Sequence, residues 1–150
     1  MGKPKESITA NWNGPYSWPK FEDKNRLQAL PKLRGLYLWT FKYKEGYLIY
    51  AAGLTRRLFS IRFNEHTRKY MNGEYYVFDV DAIKRGVRKE IWPGWGYAKE
   101  NRHEFDERKN EIISAVQKQL EGFCIFVADV GDAPRILERQ AAGHKPRPDP

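Results

Sequence analysis

An α/β or α+β domain, with a small mixed β-sheet and flanking helices, is the fold class this sequence predicts, and three observations carry it. Two aromatic and apolar runs, residues 34–43 and 47–53, bracket the turn Lys44-Glu45-Gly46, which is the pattern of a β-hairpin. Across residues 99–120 the apolar Phe105, Ile112, Val116 and Leu120 recur at helical intervals among charges of both signs, the mark of a long, half-exposed helix. The continuous apolar run Phe123-Cys124-Ile125-Phe126-Val127-Ala128 then has the length and composition of a central strand covered on both faces. Strands and helices that follow one another in this way pack as a sheet carrying helices.

Taken in order, residues 1–33 form a turn-rich arm in which Trp12-Asn13-Gly14-Pro15-Tyr16-Ser17-Trp18-Pro19 mixes turn formers with aromatics, a composition that predicts order. After the hairpin, Thr55 is placed to N-cap a helix running to about residue 70, closed by Asn72-Gly73. Residues 74–80 read as a further strand, with Asp81 capping a short turn of helix. The stretch from Ile91 to Tyr97 contains Pro93, Gly94 and Gly96 and reads as a loop. Gly122 ends the long helix, Pro134 opens a last helix through residue 142, and residues 144–150 form a Pro-rich tail expected to be disordered. The expected organisation is therefore an arm (1–33), one domain (34–143) with an insert at about 72–121, and a tail (144–150).

At 150 residues the chain matches a single domain with a core of its own. No apolar run approaches the roughly 18 residues of a membrane span, and the segment from Met1 to Glu6 has no apolar leader region, so a cytoplasmic protein without a membrane partner is expected. One cysteine, Cys124, excludes a disulfide framework and a cysteine-based zinc cage. Lys and Arg number 27 against 19 Asp and Glu, and the resulting charge of +8 points toward a polyanionic partner or toward solubility alone.

The positive charge is concentrated. Arg56, Arg57, Arg62, Arg68 and Lys69 against Glu65 place half of the net charge within residues 55–70, where a phosphate backbone would dock. On a helix Arg62 and His66 lie about 40° apart, on the arc that also holds Thr55, Phe59 and Tyr70. Either the pair is aimed at a ligand along the apolar side, or the arginine snorkels over the core while the histidine caps a nearby group. Tyr37 and Tyr50 fall on the two hairpin strands, where a half-buried ring with a solvated hydroxyl is the ordinary explanation. Glu138, four residues past Pro134, serves equally as a helix-dipole partner or an ion-pair partner of Arg135 or Arg139.

In combination these residues say more. Gly35-Leu36-Tyr37 on a first strand, Tyr50-Ala51-Ala52-Gly53 on the next, Arg62-Phe63-Asn64-Glu65-His66 on a helix and Leu137-Glu138 after an apolar strand resemble the GIY-YIG nuclease family. The resemblance runs from about residue 35 to 142 and is tightest over 35–66 and 123–140. It departs from the family in the second triplet, which has one residue more than the usual Tyr-x-Gly. Either Tyr50 is displaced by one position or the strand carries a bulge. The insert is longer than the family core requires, and no asparagine follows in the downstream helix.

The resemblance implies a metal-dependent endonuclease acting on DNA. Glu138 would be the protein ligand of one Mg2+ or Mn2+, and Arg62 would grip the scissile phosphate through its planar fork. Tyr37 would be, or assist, the general base, with Tyr50 bonded to phosphate and His66 sharing one of these tasks. Arg56, Arg57, Arg68, Lys69, Lys84 and Arg85 would follow the DNA backbone, and a homodimer is one way for so small a core to gain specificity. The rival is a non-catalytic nucleic-acid-binding module on the same fold. Two aromatic clusters, Trp12, Tyr16 and Trp18 in the arm and Trp92, Trp95 and Tyr97 in the insert, either stack on bases or fill gaps under long loops, and the structural role is favoured.

Overall fold

The computed structural model describes residues 11–129. It contains β1 (Asn13–Tyr16), α1 (Glu22–Asn25), β2 (Gly35–Tyr43), β3 (Gly46–Thr55), α2 (Phe59–Met71), β4 (Val77–Phe78), α3 (Val80–Lys84), β5 (Glu90–Trp92), α4 (Trp95–Glu100), α5 (Arg102–Glu107), α6 (Lys109–Gly122) and β6 (Phe123–Ala128). The main sheet has the order β1-β6-β2-β3, and β4 and β5 form a separate two-stranded ribbon. This is an α+β architecture. The mixed sheet expected from the sequence is corrected to antiparallel: every strand pairing is antiparallel, and the only parallel element among the described residues is the single bridge Tyr16–Gln28.

The predicted hairpin is present, with Tyr37 opposite Gly53 and Trp39 opposite Ala51. Thr40 then pairs with Ile49, so that Tyr50 is the extra residue of a β-bulge. Of the two explanations the sequence allowed for the long second triplet, the bulge is the one realised. Along β2, Tyr37, Trp39 and Phe41 alternate onto one face and are buried, as are Phe123, Ile125 and Val127 of β6. The opposite face carries Leu36, Leu38, Cys124 and Phe126, which are only partly buried. β6 is thus central, as expected, but is covered fully on one face rather than on both.

Helix α2 packs on the buried face through Phe59, Phe63, His66 and Tyr70. Phe63 lies 5.1 Å from Tyr37 and 5.6 Å from Trp39 between ring centroids, each pair near perpendicular, while Trp18 stacks on Phe63 at 4.8 Å and on Phe123 at 5.4 Å. Trp18 also donates from Nε1 to the Thr67 hydroxyl at 2.7 Å, so the arm belongs to the core. Trp12, by contrast, is exposed.

Several element boundaries differ from expectation for local reasons. Thr55 does not cap α2; it pairs with Gly35 at the end of β3, its hydroxyl accepts the Arg57 amide, and the helix begins at Phe59. Closure at Asn72-Gly73 holds, with Gly73 at φ +75°. The strand expected over 74–80 is reduced to β4, and the cap of α3 is Asp79, which accepts from the Ala82 amide at 3.1 Å, rather than Asp81. The supposed loop at 91–97 holds the end of β5 and the start of α4, the Pro93-Gly94 pair alone making the break. The long helix is three helices, interrupted at Asn101 and Arg108. Arg108 reaches across to the Ile91 carbonyl at 2.9 Å, tying the interruption to β5. Trp92 is fully buried, donating to the Gly73 carbonyl at 2.7 Å, whereas Trp95 and Tyr97 are exposed. The last predicted helix and the Pro-rich tail lie outside the described residues. Among the described residues no helix is long and apolar enough to cross a membrane.

Gly53 marks the tightest approach on the site-bearing face. A Cβ built there would sit 2.3 Å from the Tyr37 hydroxyl oxygen and ring carbon Cζ, because the Tyr37 ring crosses the glycine. Gly53→Val is expected to displace the ring and cost about 1–3 kcal/mol, read from the urea midpoint, with Ala52→Val on the exposed side of the same strand as a near-neutral control.

Candidate functional site

The face of β2 beneath α2 gathers three of the five residues singled out by the sequence. Arg62 and His66, one helical turn apart, both lie on the buried side of α2, and Tyr37 lies under its first two turns between Phe59 and Phe63. An arginine and a histidine at this spacing belong on one face, and the flanking Phe59, Phe63 and Tyr70 decide that the face is the inner one.

Arg62 is only 7% exposed. Its Nη1 donates to Glu65 Oε2 at 2.8 Å, and Arg57 closes on the same carboxylate with both guanidinium nitrogens, Nη2 meeting Oε2 at 2.7 Å and Nη1 meeting Oε1. Hydrogen bonds from Arg57 and then Arg62 hold the Glu65 carboxyl down at about 2. Two guanidinium groups are thereby fixed side by side by one carboxylate. The i, i+3 spacing of Arg62 and Glu65 is the signal in the sequence for half of this arrangement; the bidentate partner Arg57, from the connection before the helix, has none.

His66 has no exposed surface. Its Nδ1 lies 2.9 Å from the Tyr75 hydroxyl, and its ring stands edge-on to Trp39 with centroids 4.9 Å apart. Burial, followed by the nearby charges of Arg62 and Lys69, pushes its pKa down to about 3, so the imidazole is neutral at physiological pH and a weak proton acceptor. The Nε2 atom is buried with no hydrogen-bond partner among the described residues. Tyr75 was not legible as a site neighbour, because it comes from the insert and no spacing links it to α2.

Tyr50 is elsewhere. The bulge turns it toward Phe41, Phe78 and Phe123, and its hydroxyl bonds with Tyr70 and Gln119. Burial raises its pKa and raises that of Tyr70 well above the ordinary value, so both phenols stay neutral. Gln119 completes this nest: its Nε2 donates to the Tyr70 hydroxyl at 3.2 Å and its Oε1 accepts from the Phe78 amide at 3.0 Å. Tyr70 is two turns beyond Arg62, about 12 Å along the helix. Tyr37 and Tyr50 therefore serve different ends of the α2 interface.

Glu138 lies outside the described residues. Among the described residues no three His, Cys, Asp or Glu side chains come together as a metal cluster, and the carboxylate nearest Arg62, Glu65, is engaged by two arginines. With Glu65 engaged in this way, an Mg2+ or Mn2+ ion would depend on the carboxylate of Glu138.

The basic residues split into two groups. Arg56 and Arg57 are in the β3–α2 connection, not on the helix, with Arg68 and Lys69 in the last turn of α2, Lys69 Nζ 5.9 Å from the Tyr75 ring centre. Lys84 and Arg85 end α3, next to Gly86, which approaches the Tyr43 hydroxyl at the opposite end of β2 from Gly35 and Thr55. One surface does not join Lys84 and Arg85 to Arg56 and Arg57, since the length of β2 separates them.

Two acid limbs of stability follow. The folded state holds His66 neutral down to about pH 3 while the unfolded chain protonates near 6.5, so stability present above 6.5 is lost as pH falls through that window. Glu65, held at about 2 against 4.5, adds a second loss below pH 4.5. Urea midpoints measured across this range should fall in two stages, His66→Phe flattening the upper limb and Glu65→Gln the lower. No family model, no curated protein and no solved structure matches this chain.

Proposed function

We propose that the protein is a divalent-metal-dependent endonuclease that hydrolyses phosphodiester bonds in DNA. The observation that carries the reading is the paired fork of Arg62 and Arg57 on Glu65, at the start of the helix that covers Tyr37, in an order of residues that resembles GIY-YIG nucleases. A phosphodiester in the transition state spreads negative charge over its non-bridging oxygens, and a planar guanidinium held in a largely buried position stabilises that charge more than a solvated lysine would. Arg62 takes this role, and Glu65 orients it. His66 Nδ1 is committed to Tyr75 and its low pKa leaves little basicity, so the proton from water falls to Tyr37, whose buried ring must move off Gly53 for water to reach its hydroxyl. A Mg2+ or Mn2+ ion on Glu138 would supply charge neutralisation at the leaving oxygen.

A non-catalytic nucleic-acid-binding module is the second reading, and the position of Tyr50 favours it. Its hydroxyl is occupied by Tyr70 and Gln119, away from Arg62, so it does not contribute to a phosphate site in this arrangement.

Supercoiled plasmid incubated with the protein in Mg2+, in Mn2+ and in EDTA separates the two. Metal-dependent nicking that Glu138→Ala abolishes while DNA affinity persists is the result expected of the nuclease; equal binding with chelator and no cleavage under any condition supports the binding module. Arg62→Ala is expected to lower turnover by about 10²–10³-fold. In the same assay Tyr50→Phe should change turnover less than threefold while lowering the thermal midpoint, because its hydroxyl serves the Tyr70–Gln119 nest.

A further inference from the structure

The second basic run, Lys84, Arg85, Arg88 and Lys89, borders a feature that the proposed reaction leaves unused. Between β3 and the segment that follows α3 lies an open groove of about 420 Å3, its walls built by Phe41, Leu48, Ile49, Phe78, Val87 and Arg88. Ile49 is 61% exposed, Val87 53% and Leu48 44%; Leu48 pairs with Phe41 on the groove face of β3, while Tyr47 packs on Phe126 on the other face. Isolated apolar residues at a surface are ordinary, but Leu48, Ile49 and Val87 line one groove together. β3 ends the sheet order, so its outer edge is paired to no strand among the described residues. The bulge at Tyr50 limits the straight part of that edge to residues 46–49.

The rim is positive. Arg88 lies over the Phe78 ring at 5.2 Å and Lys44 over the Tyr43 ring at 5.3 Å, with exposed Lys84, Arg85 and Lys89 around them. The acidic groups nearby are Glu45 in the hairpin turn, Glu90, which is engaged with the Tyr76 hydroxyl, and Asp79, which caps α3. Both described ends of the chain are remote, since Asn13 pairs with Val127 and Ala128 with Leu36, at the other end of β2 from Tyr43.

We propose that this edge and groove receive an extended segment of a partner protein, acidic and with aliphatic side chains at alternate positions, added along residues 46–49 as a further strand. Main-chain bonds to the β3 edge would give it register, alternate aliphatic side chains would enter the groove, and its carboxylates would meet Arg88 and Lys44. A second copy of this chain fits less well, because each copy brings the same positive rim and a net charge of +8. A nucleic acid would use the cations but has no aliphatic groups for Leu48, Ile49 and Val87 to cover. The inference is independent of the nuclease reading.

The test is selection on the full chain from two displayed libraries of extended peptides, one alternating aliphatic residues with Asp or Glu, the other with Lys or Arg. Enrichment is expected from the acidic library alone. Affinity for the selected peptide should fall about tenfold in Ile49→Asp and in Arg88→Glu, with the thermal midpoint unchanged in Ile49→Asp because that side chain is at the surface. Enrichment from neither library, equal enrichment from both, or binding that ignores both substitutions overturns the proposal. So does a concentration-dependent dimer in sedimentation that Ile49→Asp dissolves, which would assign the groove to a second copy.

Discussion

The packing of α2 on the Tyr37-Trp39-Phe41 face of β2 is the contact from which the remaining geometry follows. Phe63 touches Tyr37, Trp39 and Trp18, and Trp39 in turn touches His66, Tyr70 and Phe123, so helix, arm and central strands meet in one aromatic layer. Large rings in mutual edge and stacked contact admit few alternative arrangements, which fixes the rotation of α2 about its axis. That rotation alone decides that Arg62 and His66 face inward. A polar pair so placed takes its partners from within: Glu65 accepts from Arg62, and the Tyr75 hydroxyl meets His66 Nδ1.

The same layer has two chemically different ends. At one, a carboxylate in a guanidinium fork is kept ionised; at the other, burial keeps the Tyr50 and Tyr70 phenols neutral beside the uncharged amide of Gln119. Charged groups near the surface end of a helix and neutral hydrogen-bonded groups in the interior follow the ordinary cost of burying charge. The arrangement bears on the two functional readings differently, since the first end suits an anion and the second suits only structure.

Much of this was legible in the sequence. The hairpin, the helix closed at Asn72-Gly73 and the strand at 123–128 all rest on short-range rules, and each is present. That Arg62 and His66 share the helix face of Phe59 and Tyr70 followed from helical spacing. What was not legible depended on contacts distant in sequence. Thr55 reads as a cap until its pairing with Gly35 is known, and the 99–120 pattern reads as one helix until Arg108 is seen to reach Ile91. Alternation can place Tyr50 on a strand but cannot say where a bulge turns it, and a basic run such as Lys84 to Lys89 does not announce the apolar groove beside it.

The sheet order has a consequence for how the chain is made. β6 is the last described strand, yet it lies between β1 and β2, with Asn13 opposite Val127. Until it emerges, β1 has no strand to pair with and one side of β2 is unpaired, so a growing chain can complete only the β2–β3 hairpin, the β4–β5 ribbon and local helices. Such a topology concentrates its long-range contacts in a late step, which slows folding and leaves the aromatic face of β2 without its neighbour during synthesis. For a chain this rich in tryptophan and tyrosine, that interval is when self-association competes most directly with folding.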